Sequence, residues 1–325
     1  MTRLAIALVV VVLLAGCGDQ KGFLDRYVQD DGRVVRADQG GDTVSEGQAY
    51  AMLLSVASGD EERFARVWGW TETHLRSADG LLAWRWADGR VVDDEPAADA
   101  DLDAARALSL AGDRFGEPRY REASRSLVRA IVSHETTWAA DRTVLVAGRW
   151  ARGQAVVNPS YWSPGAYRQL GFPKVARSSR QLLERLLESG LPPDWARVEP
   201  YGIVASGPPS GGEPAYSYDA VRLPVRLAES CDPADRALAA GMWPKLRNRS
   251  GAARRALDGT PQTRDEHPAA LVGAAGAAQA AGDRAAANDL LDRAARLDAE
   301  HPTYYGSAWV ALGQAMLRDH TLGRC

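Results

Sequence analysis

The sequence predicts an all-α protein with minor short strands, and three observations predict it. Apolar residues recur at helical spacing through most of the chain, as Phe64, Val67, Trp68 and Leu75 do. Breaker residues separate successive runs, as Gly116-Glu117-Pro118 does. No Ser/Gly-rich linker interrupts the body, so the 325 residues, 46% hydrophobic, read as one large core, with residues 18–325 forming a single domain. The Gly- and Pro-rich run at 207–214 is a long loop within that domain.

In chain order, residues 45–58 form an apolar helix with small side chains, and 61–75 follow with the periodic set named above. Residues 102–114 and 119–133 repeat the pattern on either side of the Gly-Glu-Pro break. Further helices are expected at 164–170, 174–188, 218–228, 233–242, 268–281, 283–294 and 304–320, with short strands at 81–86 and 143–146. About a dozen helices in a chain of this size build a bundle, a solenoid or a closed ring of helical hairpins. The lack of a fixed repeat period counts against a repeat solenoid. The Ala- and Gly-rich stretch 269–281 permits close helix–helix approach, as an inner layer requires.

The N-terminus reads as a targeting segment. Arg3 precedes an apolar run at 4–14, and Leu14-Ala15-Gly16-Cys17 matches a bacterial lipobox. Residues 1–17 are therefore expected to be a lipoprotein leader ending at Cys17, whose lipid holds the exported chain to the outer face of a bacterial membrane. An ordinary signal peptide or an uncleaved anchor is the alternative, and either still places the body outside the cytoplasm. That compartment permits a bond between the two other cysteines, Cys231 and Cys325, which would pin the tail to the body. The net charge of -3 gives no electrostatic case for nucleic acid. The five His are scattered, no CxxC occurs, and there is neither a phosphate loop nor GxGxxG, so no metal site and no cofactor are expected. With no coiled-coil heptad or exposed apolar stripe, a monomer is expected.

Three helix starts carry acids. Glu46 lies in Thr43-Val44-Ser45-Glu46, which fits a capping box; it also fits a general acid if burial or a second carboxylate outweighs the helix dipole. Asp99, Asp101 and Asp103 open another helix behind Asp93-Asp94-Glu95, a supply of acids beyond what capping uses, which reads as a solvated or sugar-binding rim. Asp219 precedes Arg222 by three residues, either as a surface ion pair or as a carboxylate held ionised for use as a base. In a ring of hairpins the inner helices run parallel, so acids at their N-termini converge on one cleft. Ten Trp against four Phe provide flat faces for sugar rings or for core packing.

On these residues the chain resembles glycoside hydrolase family 8, and within it the bacterial cellulases that accompany cellulose synthesis. The resemblance rests on Thr43-Val44-Ser45-Glu46-Gly47-Gln48-Ala49-Tyr50, Ala97-Ala98-Asp99-Ala100-Asp101, Asn158-Pro159-Ser160-Tyr161 and Ser217-Tyr218-Asp219-Ala220-Val221-Arg222, with Pro193-Asp194-Trp195 and Tyr304-Tyr305 also fitting. Ala98, Ala104 and Phe115 depart from the residues usual in that family. The resemblance implies an (α/α)6 barrel and inverting endo-hydrolysis of β-1,4-glucan. Glu46 would be the general acid, Asp219 the general base, and Asp99 the group that binds and distorts the sugar. Tyr50 and Arg222 join the substrate-binding candidates, with Trp84, Trp86, Tyr161 and Trp162 as stacking platforms. Cellulose-synthesis machinery becomes a candidate partner. Chitosan or xylan as substrate, or a non-catalytic glycan-binding role, remain alternatives.

Overall fold

Some helices of the computed structural model are buried on nearly every side, and others only along one stripe. The description covers residues 18–322, with side chains from Gly22 onward. In chain order the helices are α1 (Gly18–Tyr27), α2 (Ser45–Ser58), α3 (Glu61–His74), α4 (Ala98–Arg114), α5 (Pro118–His134), α6 (Pro164–Leu170), α7 (Pro173–Ser189), α8 (Leu223–Ala228), α9 (Pro233–Leu246), α10 (Pro268–Ala280), α11 (Arg284–Glu300) and α12 (Tyr304–Gly313). The even-numbered helices pack in sequence around a ring, and α12 closes it against α2. The odd-numbered helices cover them: α3 on α2, α5 on α4, α7 on α6, α9 on α8, α11 on α10, and α1 on α12. This is an (α/α)6 barrel.

The layer follows from the side chains. In α10 every residue from Pro268 to Ala278 is buried, whereas α7 buries Val175, Ser178, Ser179, Leu182, Leu183 and Leu186, one face at helical spacing. The small residues of α10 have the use their composition suggested. A Cβ on Gly273 would lie 2.3 Å from the Val221 carbonyl oxygen, and one on Gly276 would lie 2.9 Å from the Pro224 backbone. Only glycine lets α10 and α8 approach this closely.

Short strands deliver the chain to the inner helices. β1 (Thr43–Val44), β2 (Ala83–Ala87) and β3 (Arg90–Pro96) form an antiparallel sheet in that order; β1 runs straight into α2, and β3 leads to α4. β4 (Thr136–Ala139) and β5 (Arg142–Leu145) form a hairpin. β6 (Val156–Val157), β7 (Trp195–Glu199) and β8 (Gly202–Ser206) form a second antiparallel sheet.

Several boundaries differ from the sequence reading. The acids Asp93, Asp94 and Glu95 belong to β3, not to a helix approach. The helix expected at 218–228 is a 3-10 turn, Ala220–Arg222, followed by α8. Pro224 explains the break: it has no N–H to donate and so fits only the first turn of a helix that begins beside it. The helix expected at 304–320 stops at Gly313 and relaxes into a wide π turn, Gln314–Arg318. α9 continues past the expected end at 242, with Pro244 inside it, and α1 had no counterpart in the reading. Cys231 is disulfide-bonded. Its expected partner Cys325, and the leader with Cys17, lie outside the described residues.

Candidate active site

The N-termini of the inner helices gather at one end of the barrel, and Arg222 sits among them. Its side chain is fully buried. Nη1 donates to Asp99 Oδ2 at 2.7 Å, to Glu46 Oε1 at 3.0 Å and to the Tyr50 hydroxyl at 3.2 Å. Nη2 donates to Asp219 Oδ1 at 2.7 Å, and Nε to Ser160 Oγ at 3.1 Å. The Tyr161 ring lies 5.1 Å from the guanidinium carbon, within cation–π reach. Glu46 enters from α2, Asp99 from α4, Tyr161 from the turn before α6, and Asp219 from the turn before α8. The acids that lie far apart in sequence therefore share one cation. The near oxygens of Glu46 and Asp219 are separated by no more than two hydrogen bonds and the width of a guanidinium.

Glu46 is not a capping residue. Val44 occupies the N-cap of α2 without a side-chain cap, and the Glu46 carboxylate points to Arg222 and accepts from the Tyr50 hydroxyl at 3.3 Å. Nor is Asp219–Arg222 a surface pair, because the arginine is buried. The acids of α4 are likewise not a solvated rim. Asp99 is 1% exposed against Arg222, Asp101 Oδ1 accepts from the Leu82 N–H at 3.0 Å, and Asp103 holds Arg226 through two bonds of 2.8 and 2.6 Å. Asp99–Arg222 and Asp103–Arg226 thus form two rungs, one helical turn apart, joining α4 to the α8 segment.

Three carboxyl groups around one guanidinium cannot all ionise cheaply. Burial is the largest influence on Glu46, and Asp99 adds to it, so that its pKa rises to about 8 although Arg222 opposes the shift. Some 24% of the Glu46 side chain still reaches solvent, because it projects into a cleft whose walls surround the carboxyl group. Asp219 rises only to about 6: burial, Asp194 and Asp99 raise it, while Arg222 and the Asn158 amide lower it. At neutral pH the pair therefore holds a protonated Glu46 and an ionised Asp219, one donor and one acceptor of protons.

The cleft has a volume of about 490 Å³ and is lined by Glu46, Tyr50, Tyr218, Asp219, His267, Tyr304 and Tyr305, with Arg36 and Asp38 at one side. Gly47 leaves room for a wall of the cleft, since a Cβ there would lie 2.5 Å from the Tyr304 hydroxyl. His267 accepts from the Ala269 N–H through Nδ1 at 3.2 Å, and burial lowers its pKa to about 4. The ring is therefore neutral, with its proton on Nε2.

The stacking candidates separate. Tyr161 lies against Arg222, and Trp84 is part-buried beside the core. Trp86 is covered on one face by the Arg33 guanidinium at 4.3 Å and meets Trp70 edge-on, so that face is not open to a sugar. Trp162 is a correction: it is 1% exposed, with Nε1–H donating to the Leu145 carbonyl at 3.1 Å, and it serves the core. Asp194, His267, Tyr218 and Tyr305 were absent from the candidate set. Asp194 accepts from the Ser217 and Ala220 N–H groups at 2.9 and 2.8 Å and from the Ser217 hydroxyl, which clamps the turn that carries Asp219. An aspartate in a Pro-Asp-Trp block was its only local signal.

The model for glycosyl hydrolases family 8 matches residues 4–319. The protein named "Probable endoglucanase" from Novacetimonas hansenii is 33% identical over 219 residues, covering 62% of this chain and 64% of that protein. The chain thus spans less than two thirds of the length of this curated relative. Endoglucanase Cel10, a family 8 glycosyl hydrolase from Klebsiella pneumoniae, shares the fold with a TM-score of 0.78 at 24% identity, over 93% of this chain and 99% of that one. The endo-β-1,4-glucanase CMCax from Acetobacter xylinum aligns with a TM-score of 0.77 at 25% identity, over 92% and 97%. With its helical ring, its convergent acids and a family match over almost its whole length, this chain belongs to glycosyl hydrolase family 8.

Proposed function

We propose that the chain is an endo-acting glycosidase that cleaves β-1,4-linked glucan with inversion. The observation that carries the proposal is the pair of carboxyl groups, Glu46 and Asp219, held on opposite terminal nitrogens of Arg222 with pKa values of about 8 and about 6. Glu46 gives its proton to the leaving glycosidic oxygen. Asp219 takes a proton from a water that attacks the opposite face of the sugar, and the gap between the two carboxyls is where that water stands. Asp99 and the Tyr161 ring act from beneath by keeping Arg222 in place, and the rings of Tyr218 and Tyr305, which line the cleft, meet the sugar faces. The endoglucanase names of the relatives support glucan as the substrate.

Glu46→Gln and Asp219→Asn should each lower reducing-sugar release from carboxymethylcellulose by about 10²–10⁴-fold, the usual weight of one acid or base. An active Glu46→Gln enzyme would remove the assignment. Inversion is read separately, from the anomer that forms first: the α-anomer is expected, and a β-anomer would make the mechanism retaining. A panel of mixed-linkage glucan, chitosan and xylan ranks the polymers by rate.

The lipobox belongs to the same reading. An exported enzyme tethered at Cys17 would incorporate labelled palmitate in a bacterial host, and Cys17→Ala would not; equal labelling of both would refute the anchor.

A further inference from the structure

Four large aromatic side chains are open to solvent; Tyr218, 51% exposed, belongs to the cleft, and the other three lie on segments that border a second groove. Tyr201 is 96% exposed, Trp138 70% and Trp150 45%. Trp138 stands on β4, Tyr201 at the tip of the β7–β8 hairpin, and Trp150 in the 3-10 segment Arg149–Gln154. Trp138 lines a groove of about 600 Å³ together with Asp141, Arg152, Gln154, Arg197 and Glu199, while Tyr201 follows the lining residue Pro200 and Trp150 precedes the lining residues 152–154 at its edge.

The groove is distinct from the cleft, with which it shares no lining residue, and a chain of packed rings runs from its edge to the catalytic arginine. Trp150 lies 6.2 Å from Trp195, and Trp195 lies 6.4 Å from Tyr161, the ring under Arg222. β7 starts at Trp195, beside the clamp residue Asp194, and ends at Glu199 on the groove. At roughly 3.3 Å per residue the groove residues Arg197 to Glu199 lie about 7–13 Å along the strand from Trp195.

Exposed aromatic rings within a polar rim mark a recognition surface. The chemistry selects a class of ligand. Flat indole and phenol faces suit the axial C–H faces of sugars, and the side-chain amide, guanidinium and carboxylate groups suit hydroxyls as donors and acceptors. Two arginines and two acids leave the lining without a dominant charge, which fits a neutral polymer better than a polyanion or polycation. We propose that this groove is a second glucan-binding site, which holds a chain beyond the part that occupies the cleft. The proposal rests on the glucan reading of the active site.

The test compares the parent with Trp138→Ala/Tyr201→Ala. Both substituted residues are exposed, and equal Tm values establish that folding is unchanged. Binding to swollen amorphous cellulose is measured in the Glu46→Gln background, and kcat/KM in the active background on carboxymethylcellulose and on cellopentaose. The double variant should bind the polymer about tenfold more weakly, the loss of two stacking contacts. Its kcat/KM on cellopentaose should stay within about twofold of the parent. Unchanged polymer binding, or an equal fall on cellopentaose, would overturn the second site while leaving the enzyme assignment intact. Failure of the parent to cleave either substrate would instead defeat the glucan reading, and the groove proposal with it.

Discussion

Arg222 carries one positive charge among three carboxyl groups, and that imbalance sets how the site responds to pH. The acid must be protonated and the base ionised. Glu46, raised to about 8 by burial and by Asp99, loses its proton as pH climbs through that value. Asp219, raised to about 6 by burial, gains one as pH falls through it. The kcat/KM profile should therefore be a bell with limbs near 6 and 8, and Asp219→Glu should move the acidic limb more than the basic one, because Asp219 is only a minor contributor to the rise of Glu46. A profile that keeps rising to pH 10 would exclude Glu46 as the proton donor. Glu46, Asp219 and Arg222 could be named from the sequence, but their residue types fitted a capping glutamate and a surface ion pair equally, and it was the family resemblance that implied their chemistry. Trp162 could not be placed, since a tryptophan beside a tyrosine has the same local signature whether its indole meets a sugar or the Leu145 carbonyl. The cost of the helix dipole at Glu46 was weighed correctly in kind, but only the third dimension shows how far Asp99 and burial exceed it.

Between helices, the decisive contact is α10 against the segment that carries Asp219. Gly273→Ala would place a Cβ 2.3 Å from the Val221 carbonyl, a backbone atom that cannot swing aside. The helices must part, at a cost of about 1–3 kcal/mol, and the Ala220–Arg222 turn must shift with them. Activity should fall more steeply than stability, because the turn positions Asp219 and Arg222 together. Gly241→Ala is the matched control: it lies in α9 with nothing within 4 Å of its would-be Cβ, so it should stabilise by about 0.5–1 kcal/mol through helix propensity alone. Thermal melts and initial rates of the two variants separate these outcomes, and an active, stable Gly273→Ala would refute the packing argument. At this scale the sequence showed the periodic helices well and the strands poorly. β6 pairs with β7, which is nearly forty positions away, and two residues of strand have no pattern of their own. The turn at Asp219 was read as helix because its residues are helix-compatible, while the Pro224 constraint acts on the turn before it.

Over the whole molecule, the closed ring was the feature least legible locally. Each inner helix reads as a buried apolar segment, but nothing in its own sequence states that α12 returns to α2; the resemblance to a known family supplied that closure. The ring has an energetic consequence as well. It buries acids that are raised above their ordinary values in the folded state: Glu46 and Asp219 in the cleft, and Asp101 with Glu135, where burial dominates both, Asp101 adds to the rise of Glu135, and a hydrogen bond from Glu135 partly offsets the rise of Asp101. Glu135 finds no donor for either oxygen and Asp101 finds one, the Leu82 N–H, so a shared proton is what makes this pair tenable. A group with a raised acid pKa binds more protons folded than unfolded. Its penalty is absent below the unfolded value and grows as pH rises towards the folded one. His267 acts in the opposite sense: lowered to about 4, it penalises folding as pH falls below its ordinary value. Asp42 and Asp79, lowered chiefly by the hydrogen bonds that outweigh their burial, lose their contribution at still lower pH. Four acids against one histidine place the stability maximum on the acidic side, near pH 4 by the ordinary carboxyl values, below the window in which the enzyme should be active. Glu135→Gln supplies an amide donor in place of the shared proton and should raise stability at pH 8 by about 1–3 kcal/mol, with the gain shrinking towards pH 4. Melting temperature measured from pH 3.5 to 9 at fixed ionic strength tests both statements. A maximum that coincides with the activity optimum, or a Glu135→Gln variant with the parent's slope, would mean that these buried acids do not govern the stability of the fold.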